Sequence, residues 1–374
     1  MDLRGLYAGR SVFVTGHTGF KGAWLVAWLR HLGANVTGYA LDPPTQPNLF
    51  DALGLAGQVR HVVADVRDRA RLVAQMQAAA PSIVFRLAAQ AIVRSSYGHP
   101  HETFETNVMG TVNALEAARA CPSVGAVVIV TSDKCYEHRG AARPFREDDP
   151  LGGHDPYSAS KACAEIVTGA YRDSFFGEGP LVASVRAGNV IGGGDWAPDR
   201  IVPDCVRALV AGEPVVVRNP DAVRPWQHVL DPLAGYLRLG ASLLAEGPAF
   251  AGAWNLGPAD GTARPVRWLV ERFVDEWGEG SWTSFDPGVA QPREAAMLLL
   301  DSSRARERLG WEPAWDAETA VARAAAWYRD YYRDPASAPA LVAAELEVYE
   351  AFEAEQVAPA AAAGATTGPA VVSA

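Results

Sequence analysis

Short apolar runs alternate with longer amphipathic segments through the first half of the chain. The apolar runs are nearly continuous and rich in Val and Ile, which is typical of strands covered on both faces. The pattern predicts strands at 11–15, 35–40, 58–63, 83–87, 126–131 and 181–186, separated by helices at 20–32, 68–79, 103–120 and 156–176. Strand–helix alternation at this spacing predicts an α/β fold with a doubly wound parallel sheet.

The pattern changes after Arg186, where Gly, Pro and aromatic residues cluster in long loops. Such loops tend to carry function, so we expect a smaller substrate-binding lobe formed by residues 187–228 and 258–335. A helix at 231–244 and a strand at 253–256 are expected to complete the first domain, which spans 1–186 and about 229–257. The low-complexity end predicts a disordered tail over 353–374.

Composition restricts the class of partner. The 374-residue chain has 49% hydrophobic and 20% charged residues, a formal net charge of -10 and an isoelectric point near 5.3. Nucleic acids and anionic membranes need a basic surface, so this balance argues against both as partners. An anionic small-molecule ligand therefore has to be held by local groups.

Nothing in the sequence points to export or to a metal site. The four cysteines are Cys121, Cys135, Cys163 and Cys205; they form no C-x-x-C pair, and no His/Cys cluster has metal-ligand spacing. The N-terminus lacks the apolar core of a signal peptide, and there is no apolar run of about 18 residues. We therefore expect free thiols, a cytoplasmic protein and no bound metal.

The first predicted strand leads into T-G-H-T-G-F-K-G, which spaces Gly16, Gly19 and Gly22 as G-x-x-G-x-x-G before a predicted helix. A tight turn, a backbone close to a pyrophosphate and a helix packed near the strand each need a residue without a side chain. The helix N-terminus then offers free N–H groups to the phosphates. In this context the motif predicts a Rossmann-like dinucleotide site rather than a bare turn.

Carboxylates follow the second and third predicted strands. Asp42 comes 20 residues after Gly22, where it can accept hydrogen bonds from a ribose diol and repel a 2′-phosphate, so NAD is favoured over NADP. The alternative is a turn aspartate before Pro43. Asp65 is expected to meet the adenine, unless it shares helix-capping chemistry with Asp68.

The second motif is Y-S-A-S-K, which sets Tyr157 and Lys161 four residues apart on one face of a predicted helix. An adjacent ammonium group stabilises a phenolate, and moving a tyrosine pKa from about 10 toward 7 takes roughly 4 kcal/mol. We expect Lys161 and a positive nicotinamide ring to supply this energy. Tyr157 can then take a proton from a sugar hydroxyl as hydride leaves its carbon.

Between these motifs, T-S-D-K-C-Y follows the strand at 126–131. It places a hydroxyl, a carboxylate and an amine in a row at Ser132, Asp133 and Lys134. An acid next to a base suits paired proton transfers. The alternative is an Asp–Lys pair that only caps the end of a strand.

These segments, with N-V-M-G-T-V-N, R-A-G-N-V-I-G-G-G-D-W-A, D-R-I-V-P-D and R-P-W-Q-H-V-L, cover most of residues 10–313. With them the chain resembles the extended short-chain dehydrogenases/reductases that modify nucleotide sugars, and within that branch the CDP-glucose 4,6-dehydratases. The glycine loop and Y-x-x-x-K are common to the superfamily, whereas T-S-D-K-C-Y and R-P-W-Q-H are far more selective.

The resemblance implies conversion of CDP-D-glucose to CDP-4-dehydro-6-deoxy-D-glucose and water, with NAD bound throughout. Hydride leaves C4, water is eliminated across C5 and C6, and the hydride returns to C6. Ser132 is expected near the C4 oxygen and Tyr157, and Asp133 is the expected acid for the departing C6 hydroxyl. Lys134 takes the position that glutamate has in the dTDP-glucose enzymes, and as the C5 base it must be partly neutral.

The resemblance also implies the contacts with ligands. The expected cofactor-binding residues are Gly16, Thr18, Gly19, Phe20, Lys21, Gly22, Asp42, Asp65, Val66, Leu87, Ala88, Ala89, Tyr157 and Lys161. The expected substrate-binding residues are Gln90, Ser96, Asn107, Asn189, Arg200, Arg218, Arg224, Trp226, His228 and Arg293.

Several of these roles have alternatives. Arg224 is the best phosphate ligand, because its fork can bind bidentately. Trp226 and His228 either line the nucleotide pocket or pack the lobe, and Arg218 and Arg293 are otherwise surface charges. Asn107 is also suited to bond a backbone carbonyl beside the site. Arg86 and Arg293 each replace a histidine that is common in relatives.

In the resembling family, the helices at 103–120 and 156–176 form the dimer contact, so a homodimer or homotetramer is expected. GDP-mannose or dTDP-glucose 4,6-dehydratase and nucleotide-sugar 4-epimerase remain alternative functions. An epimerase would leave Asp133 and Lys134 unexplained. A non-catalytic NAD-binding regulator usually lacks the tyrosine or the lysine, and both are present here.

Overall fold

The fold is known from a computed structural model, which describes residues 1–138, 143–177, 179–259, 261–284 and 298–363. Arg293 and the chain beyond Ala363 lie outside the described residues. The strands are β1 (Ser11–Thr15), β2 (Asn35–Ala40), β3 (Arg60–Val63), β4 (Ile83–Arg86), β5 (Ala126–Val130), β6 (Leu181–Arg186), β7 (Val190–Ile191), β8 (Val215–Val217), β9 (Val223–Arg224), β10 (Gln227–His228), β11 (Gly252–Asn255), β12 (Arg264–Pro265) and β13 (Trp282–Ser284).

The observed helices begin and end within a few residues of the predicted bounds, except in the segment predicted at 103–120. They are α1 (Leu3–Tyr7), α2 (Phe20–His31), α3 (Leu49–Ala52), α4 (Arg69–Ala79), α5 (Val93–Gly98), α6 (Pro100–Phe104), α7 (Gly110–Arg119), α8 (Pro156–Phe175), α9 (Ile201–Ala211), α10 (Leu230–Glu246), α11 (Val266–Trp277), α12 (Ala317–Arg333) and α13 (Ala338–Ala363). Among the helices described, none is long and apolar enough to cross a membrane.

Seven strands form one parallel sheet in the order β11-β6-β5-β4-β1-β2-β3. Alternate residues of β5 face opposite sides, so Val127 and Ile129 join one buried cluster while Val128 and Val130 join another. Helices α4 and α7 cover the first side, and α2 and α10 cover the second. Both faces are therefore buried, which confirms the predicted doubly wound sheet.

The winding direction reverses between β1 and β4, which lie side by side with Val12 opposite Ile83. Ligands of open α/β sheets bind at such a switch point, outside the carboxyl ends of the strands. The loops that leave β1, β4 and β5 carry the glycine motif, Gln90 and T-S-D-K-C-Y respectively. The topology thus brings three separate sequence motifs to one edge of the sheet.

The second lobe contains α9, α11 and α12 with the short strands β8 and β13, which pair with each other. Helix α10 and strand β11 return to the main sheet, as the sequence predicts, and β11 pairs with β6. Within the lobe, Tyr328 of α12 holds the loop that follows β7, because its buried hydroxyl accepts the Asp195 N–H at 2.8 Å and donates to the Asp195 carbonyl.

Two predicted segments differ in the structure. The single helix expected at 103–120 is α6, a π-helical segment at Glu105–Met109, and α7. The buried Arg86 side chain explains the interruption, because its Nη2 donates to the Thr106 carbonyl at 2.8 Å and the Asn107 carbonyl at 3.2 Å. Helix α13 continues to Ala363, so it occupies the first part of the predicted tail.

Tyr328→Phe should weaken the contact between α12 and the loop at Asp195, because it leaves both backbone groups of Asp195 without a buried partner. We expect the free energy of unfolding to fall by about 1–3 kcal/mol, measured by urea denaturation with tryptophan fluorescence. Tyr332→Phe is the matched control, since the partly exposed hydroxyl of Tyr332 accepts one bond, from Trp196 Nε1, at 3.2 Å. An equal loss in both variants would contradict this account.

Candidate functional site

A cavity of about 1000 Å³ lies where the carboxyl ends of the strands face the second lobe. It is lined by nearly all of the predicted site residues: Gly16, Thr18, Gly19, Phe20, Lys21, Gly22, Asp42, Asp65, Val66, Leu87, Ala88, Ala89, Gln90, Ser132, Asp133, Lys134, Tyr157, Lys161, Asn189, Arg200, Arg218, Arg224 and Trp226. Among the described residues, no group of three or more His, Cys, Asp or Glu is arranged to hold a metal ion.

The glycine loop is compact enough to exclude side chains at two positions. Gly16 has a φ of +75°, and a Cβ there would lie 2.6 Å from the Ala88 nitrogen. A Cβ on Gly22 would lie 2.0 Å from the Gly16 carbonyl oxygen. Helix α2 begins after Gly19 without a side-chain cap, so its first N–H groups face the cavity edge and can bind an anion. The loop therefore fits a pyrophosphate.

The two carboxylates expected beside the dinucleotide differ in their surroundings. Asp42 is exposed at the cavity and makes no hydrogen bond or ion pair with any residue that the structure describes, so it is available to a ribose diol. Asp65 is held by Arg67, with Nη2 at 2.6 Å and the backbone nitrogen at 2.8 Å. Burial opposes its charge, yet the Arg67 contacts hold the pKa of Asp65 below its ordinary value. Asp68, in contrast, caps α4 by accepting from the Arg71 N–H.

The T-S-D-K-C-Y segment turns sharply after β5. Ser132 Oγ caps a short 3₁₀ turn by accepting the Lys134 N–H at 3.2 Å, and it donates to Asp133 Oδ1 at 2.8 Å. Asn189 Nδ2 donates to the other carboxylate oxygen at 3.3 Å. Gly188 packs so closely that a Cβ would lie 2.0 Å from Asp133 Oδ2. The buried carboxylate of Asp133 is thus fixed from three sides.

Lys134 is the more accessible member of this pair. Its side chain is 28% exposed, and its Nζ lies 4.0 Å from Asp133 Oδ1. It lines the same cavity as Tyr157. The amine can therefore reach a ligand in the cavity, but it can accept a proton only in its neutral form.

Tyr157 and Lys161 lie on the first turns of α8, which Asp155 caps by accepting the Ser158 N–H at 2.9 Å. Burial raises the pKa of Tyr157 to about 12, although a hydrogen bond with Ser132 and the charge of Arg200 act in the opposite direction. Burial, and then the charge of the buried Arg86, lower the pKa of Lys161 well below its ordinary value. The protein groups alone therefore favour the neutral phenol, and the lowered tyrosine pKa expected from the sequence has to come with bound ligands.

The lobe side of the cavity supplies cations that already have hydrogen-bond partners within the protein. Arg200 Nη1 donates to Asp195 at 2.8 Å, and Arg218 Nη1 donates to Asp199 at 2.7 Å. Arg224 is nearly buried and donates to the Val223 carbonyl at 2.9 Å. These arginines offer local positive charge in a protein of net negative charge, as the composition requires.

Three predicted substrate residues do not line the cavity. Ser96 is buried and donates to the Val93 carbonyl at 2.6 Å. Asn107 is buried under Gln90, whose backbone it holds through two hydrogen bonds of 2.9 and 3.0 Å. His228 packs between Trp24 and Trp315, and burial lowers its pKa to about 3, so it packs the lobe in neutral form.

Sequence reasoning missed a buried ion pair beneath the site. Glu165 Oε2 accepts from Arg186 Nη2 at 2.8 Å, and both side chains are at most 4% exposed. The available signal was the spacing of Tyr157, Lys161 and Glu165, which are four residues apart in turn and share one buried helix face.

Comparison with known proteins gives one family. The family model for GDP-mannose 4,6 dehydratase matches residues 13–324. The CDP-glucose 4,6-dehydratase of Salmonella typhimurium is 46% identical over 336 residues, which cover 88% of this chain and 93% of that protein. The dTDP-glucose 4,6-dehydratase of Streptomyces antibioticus is 31% identical over 86% of this chain and 92% of its own length.

Solved structures show the same architecture. The dTDP-glucose 4,6-dehydratase from Streptomyces venezuelae, crystallised with NAD, is 25% identical with a TM-score of 0.71, covering 85% of this chain and 97% of that one. A UDP-glucose-4-epimerase from Stenotrophomonas maltophila has a TM-score of 0.76 at 23% identity, covering 87% of this chain and 99% of that one, and it supports the fold alone.

Gly22→Ala should open the glycine loop, because the new methyl group would overlap the Gly16 carbonyl. We expect affinity for NAD, measured by titration calorimetry, to fall by at least about tenfold. Gly57→Ala is the control, since a Cβ at that position meets nothing within 4 Å. Unchanged affinity in the Gly22 variant would show that the loop does not approach the phosphates.

Proposed function

The chain belongs to the GDP-mannose 4,6 dehydratase family, and on that premise we propose that it converts CDP-D-glucose to CDP-4-dehydro-6-deoxy-D-glucose and water, with NAD as the bound cofactor. The observation that carries this proposal is the meeting of Asp133 and Lys134 with Tyr157 and Lys161 in one cavity. The choice of the cytidine nucleotide follows the relative at 46% identity.

The cavity fits NAD through the uncapped start of α2, the two glycines that leave room for phosphate, and the exposed Asp42. When bound, NAD would accept the C4 hydride and later return it to C6. The residues of the chain have to hold the sugar, move protons and exclude water. These tasks need separate groups for C4, C5 and C6.

Each group has a task suited to its surroundings. Tyr157, steadied by Ser132 and Lys161, removes the proton of the C4 hydroxyl. Asp133 is nearly buried and accepts the Ser132 hydroxyl, so in its protonated form it can donate to the departing C6 hydroxyl. Lys134 reaches the cavity from the next position and takes the C5 proton. Arg200 and Arg218 neutralise the substrate pyrophosphate.

The alternatives explain less of the cavity. A 4-epimerase shares the cofactor loop and the Tyr157–Lys161 pair but has no use for an acid and a base at C5 and C6. A GDP-mannose or dTDP-glucose dehydratase would use the same catalytic groups, and it would differ in the nucleotide that it recognises. A non-catalytic regulator would not need Tyr157 and Lys161 to face the cavity together.

We also propose that the chain acts as a homodimer or larger homo-oligomer in a reducing compartment such as the cytoplasm. Phe104 and Met109, within the segment expected at 103–120, and Ile166 and Phe175 on α8 expose large apolar side chains where the contact is expected. All four cysteines are free thiols, which supports a reducing environment.

Incubation of the purified protein with CDP-, dTDP- and UDP-glucose and GDP-mannose tests the proposed function. We expect a 4-keto-6-deoxy product, detected by its absorbance in alkali, with the highest kcat/KM for CDP-glucose. Preference for a sugar with another nucleotide would change the proposed substrate, but the proposed reaction would stand. Epimerised product, or no 4-keto-6-deoxy product from any of the four, would refute the dehydratase assignment.

Lys134→Ala tests the base at C5. We expect exchange of the C5 proton with deuterated solvent to fall by about 10²- to 10⁴-fold, while oxidation at C4 continues, because that step uses Tyr157. Tyr157→Phe is the paired control and should block both. Exchange at the wild-type rate in the lysine variant would remove Lys134 from this role.

A further inference from the structure

Two elements carry the reacting groups, and both meet the neighbouring strand β6 at one buried carboxylate. Ser132 and Asp133 follow β5, Tyr157 and Lys161 lie on α8, and β6 runs beside β5 in the sheet. Glu165 lies on α8 one turn after Lys161 and points into the sheet beneath the cavity. It does not line the cavity, so any effect on the reaction has to pass through its neighbours.

Every oxygen of Glu165 has a partner from another element. Thr131 Oγ1, the residue before Ser132, donates to Oε1. Ser184 Oγ and Arg186 Nη2, both from β6, donate to Oε2 at 2.7 and 2.8 Å. The carboxylate therefore fixes the distance between α8 and the end of β5 at the position where the T-S-D-K-C-Y turn begins.

Arg186 extends the same network toward the other side of that turn. Its Nη1 donates to the Tyr136 hydroxyl at 2.7 Å and to the Glu147 carbonyl at 3.0 Å. Tyr136 in turn donates to Asn255 Oδ1 on β11 at 2.7 Å. The turn that holds Ser132, Asp133 and Lys134 is thus anchored at both of its ends by one ion pair.

We propose that Glu165 is a positioning residue for the reaction, which sets Tyr157 and Lys161 against Ser132 and Asp133 through Thr131 and Arg186. This inference rests on the proposed function. Charge is part of the role: burial and the charges of Arg86 and Lys21 lower the pKa of Lys161, whereas Glu165 and, when it is ionised, Cys135 raise it. Loss of the Glu165 charge therefore shifts the pKa of Lys161 downward.

Three variants separate positioning from stability. Glu165→Gln keeps the shape of the side chain and removes its charge. Glu165→Asp keeps the charge and shortens the reach by one methylene group. The double variant Glu165→Leu with Arg186→Met replaces the buried pair by apolar groups, a change that is often neutral or stabilising, so it guards against misfolding.

We expect kcat to fall by about 10- to 100-fold in all three variants, with KM changed by less than about threefold, because misplacement by a fraction of an ångström affects the chemistry more than binding. The alkaline limit of the pH profile should move to lower pH in Glu165→Gln, since Lys161 loses a negative neighbour while the positive charge of Arg186 stays. Glu165→Asp should keep the wild-type limit.

Glu345→Gln is the matched control, because it breaks an ion pair with Arg323 between α13 and α12, away from the cavity. It should leave kcat and the pH profile unchanged. A folded double variant with wild-type kcat, together with a wild-type pH profile in Glu165→Gln, would overturn the positioning role and leave Glu165 as a structural residue.

Product formation at steady state gives kcat, KM and the pH profile, and the near-ultraviolet absorbance of reduced nicotinamide in a single turnover gives the rate of hydride transfer, with whichever nucleotide sugar the wild-type enzyme oxidises. A different preferred nucleotide therefore leaves this comparison intact. If the wild-type protein oxidises none of the four sugars, the proposed function fails and this inference fails with it. If the wild type reacts and the variants match it, the role of Glu165 alone is refuted.

Discussion

The site depends on one buried ion pair, Glu165 with Arg186, at the place where α8 crosses the ends of two central strands. Taking both charges out of water costs several kcal/mol for each ion, and their attraction repays this only with good geometry and further hydrogen bonds. Here the carboxylate has three donors and the guanidinium has three acceptors. Such a pair adds little net stability, so its main consequence is to link α8 with β6 and with the end of β5.

Three further charged side chains at the cavity are also held by partners within the protein. Arg200 and Arg218 are each paired with a carboxylate of their own lobe, and Asp133 is fixed by hydroxyl and amide donors. A protein with net charge -10 can therefore present positive charge to a pyrophosphate without a basic surface. An incoming anion has to share Arg200 with Asp195 and Arg218 with Asp199, or displace these carboxylates. The affinity of the protein for the anion therefore depends on local geometry more than on long-range attraction.

The strands and the three motifs were predictable because the signals are local. A short buried Val/Ile run such as Ala126–Val130 predicts a strand. The order of the strands then brings the loops after β1, β4 and β5 to the same edge of the sheet. The π-helical segment was not predictable, because Arg86, which donates to its carbonyls, comes from a strand about 20 residues earlier. His228 and Ser96 likewise face inward through packing that no sequence period encodes, so family resemblance alone placed them at the ligand.

The reactivity of Tyr157 also depends on more than its own motif. The folded chain makes ionisation of this phenol difficult, since burial outweighs the Ser132 hydrogen bond and the Arg200 charge and its pKa rises to about 12. Lys161 cannot compensate fully, because it is itself buried beside Arg86 and its pKa is lowered. Removal of a proton by Tyr157 therefore becomes favourable only when further positive charge occupies the cavity. The Tyr157 phenolate then forms only when ligands occupy the cavity, and the empty protein carries no reactive phenolate. This suits a reaction in which the cofactor is reduced and reoxidised while it stays bound.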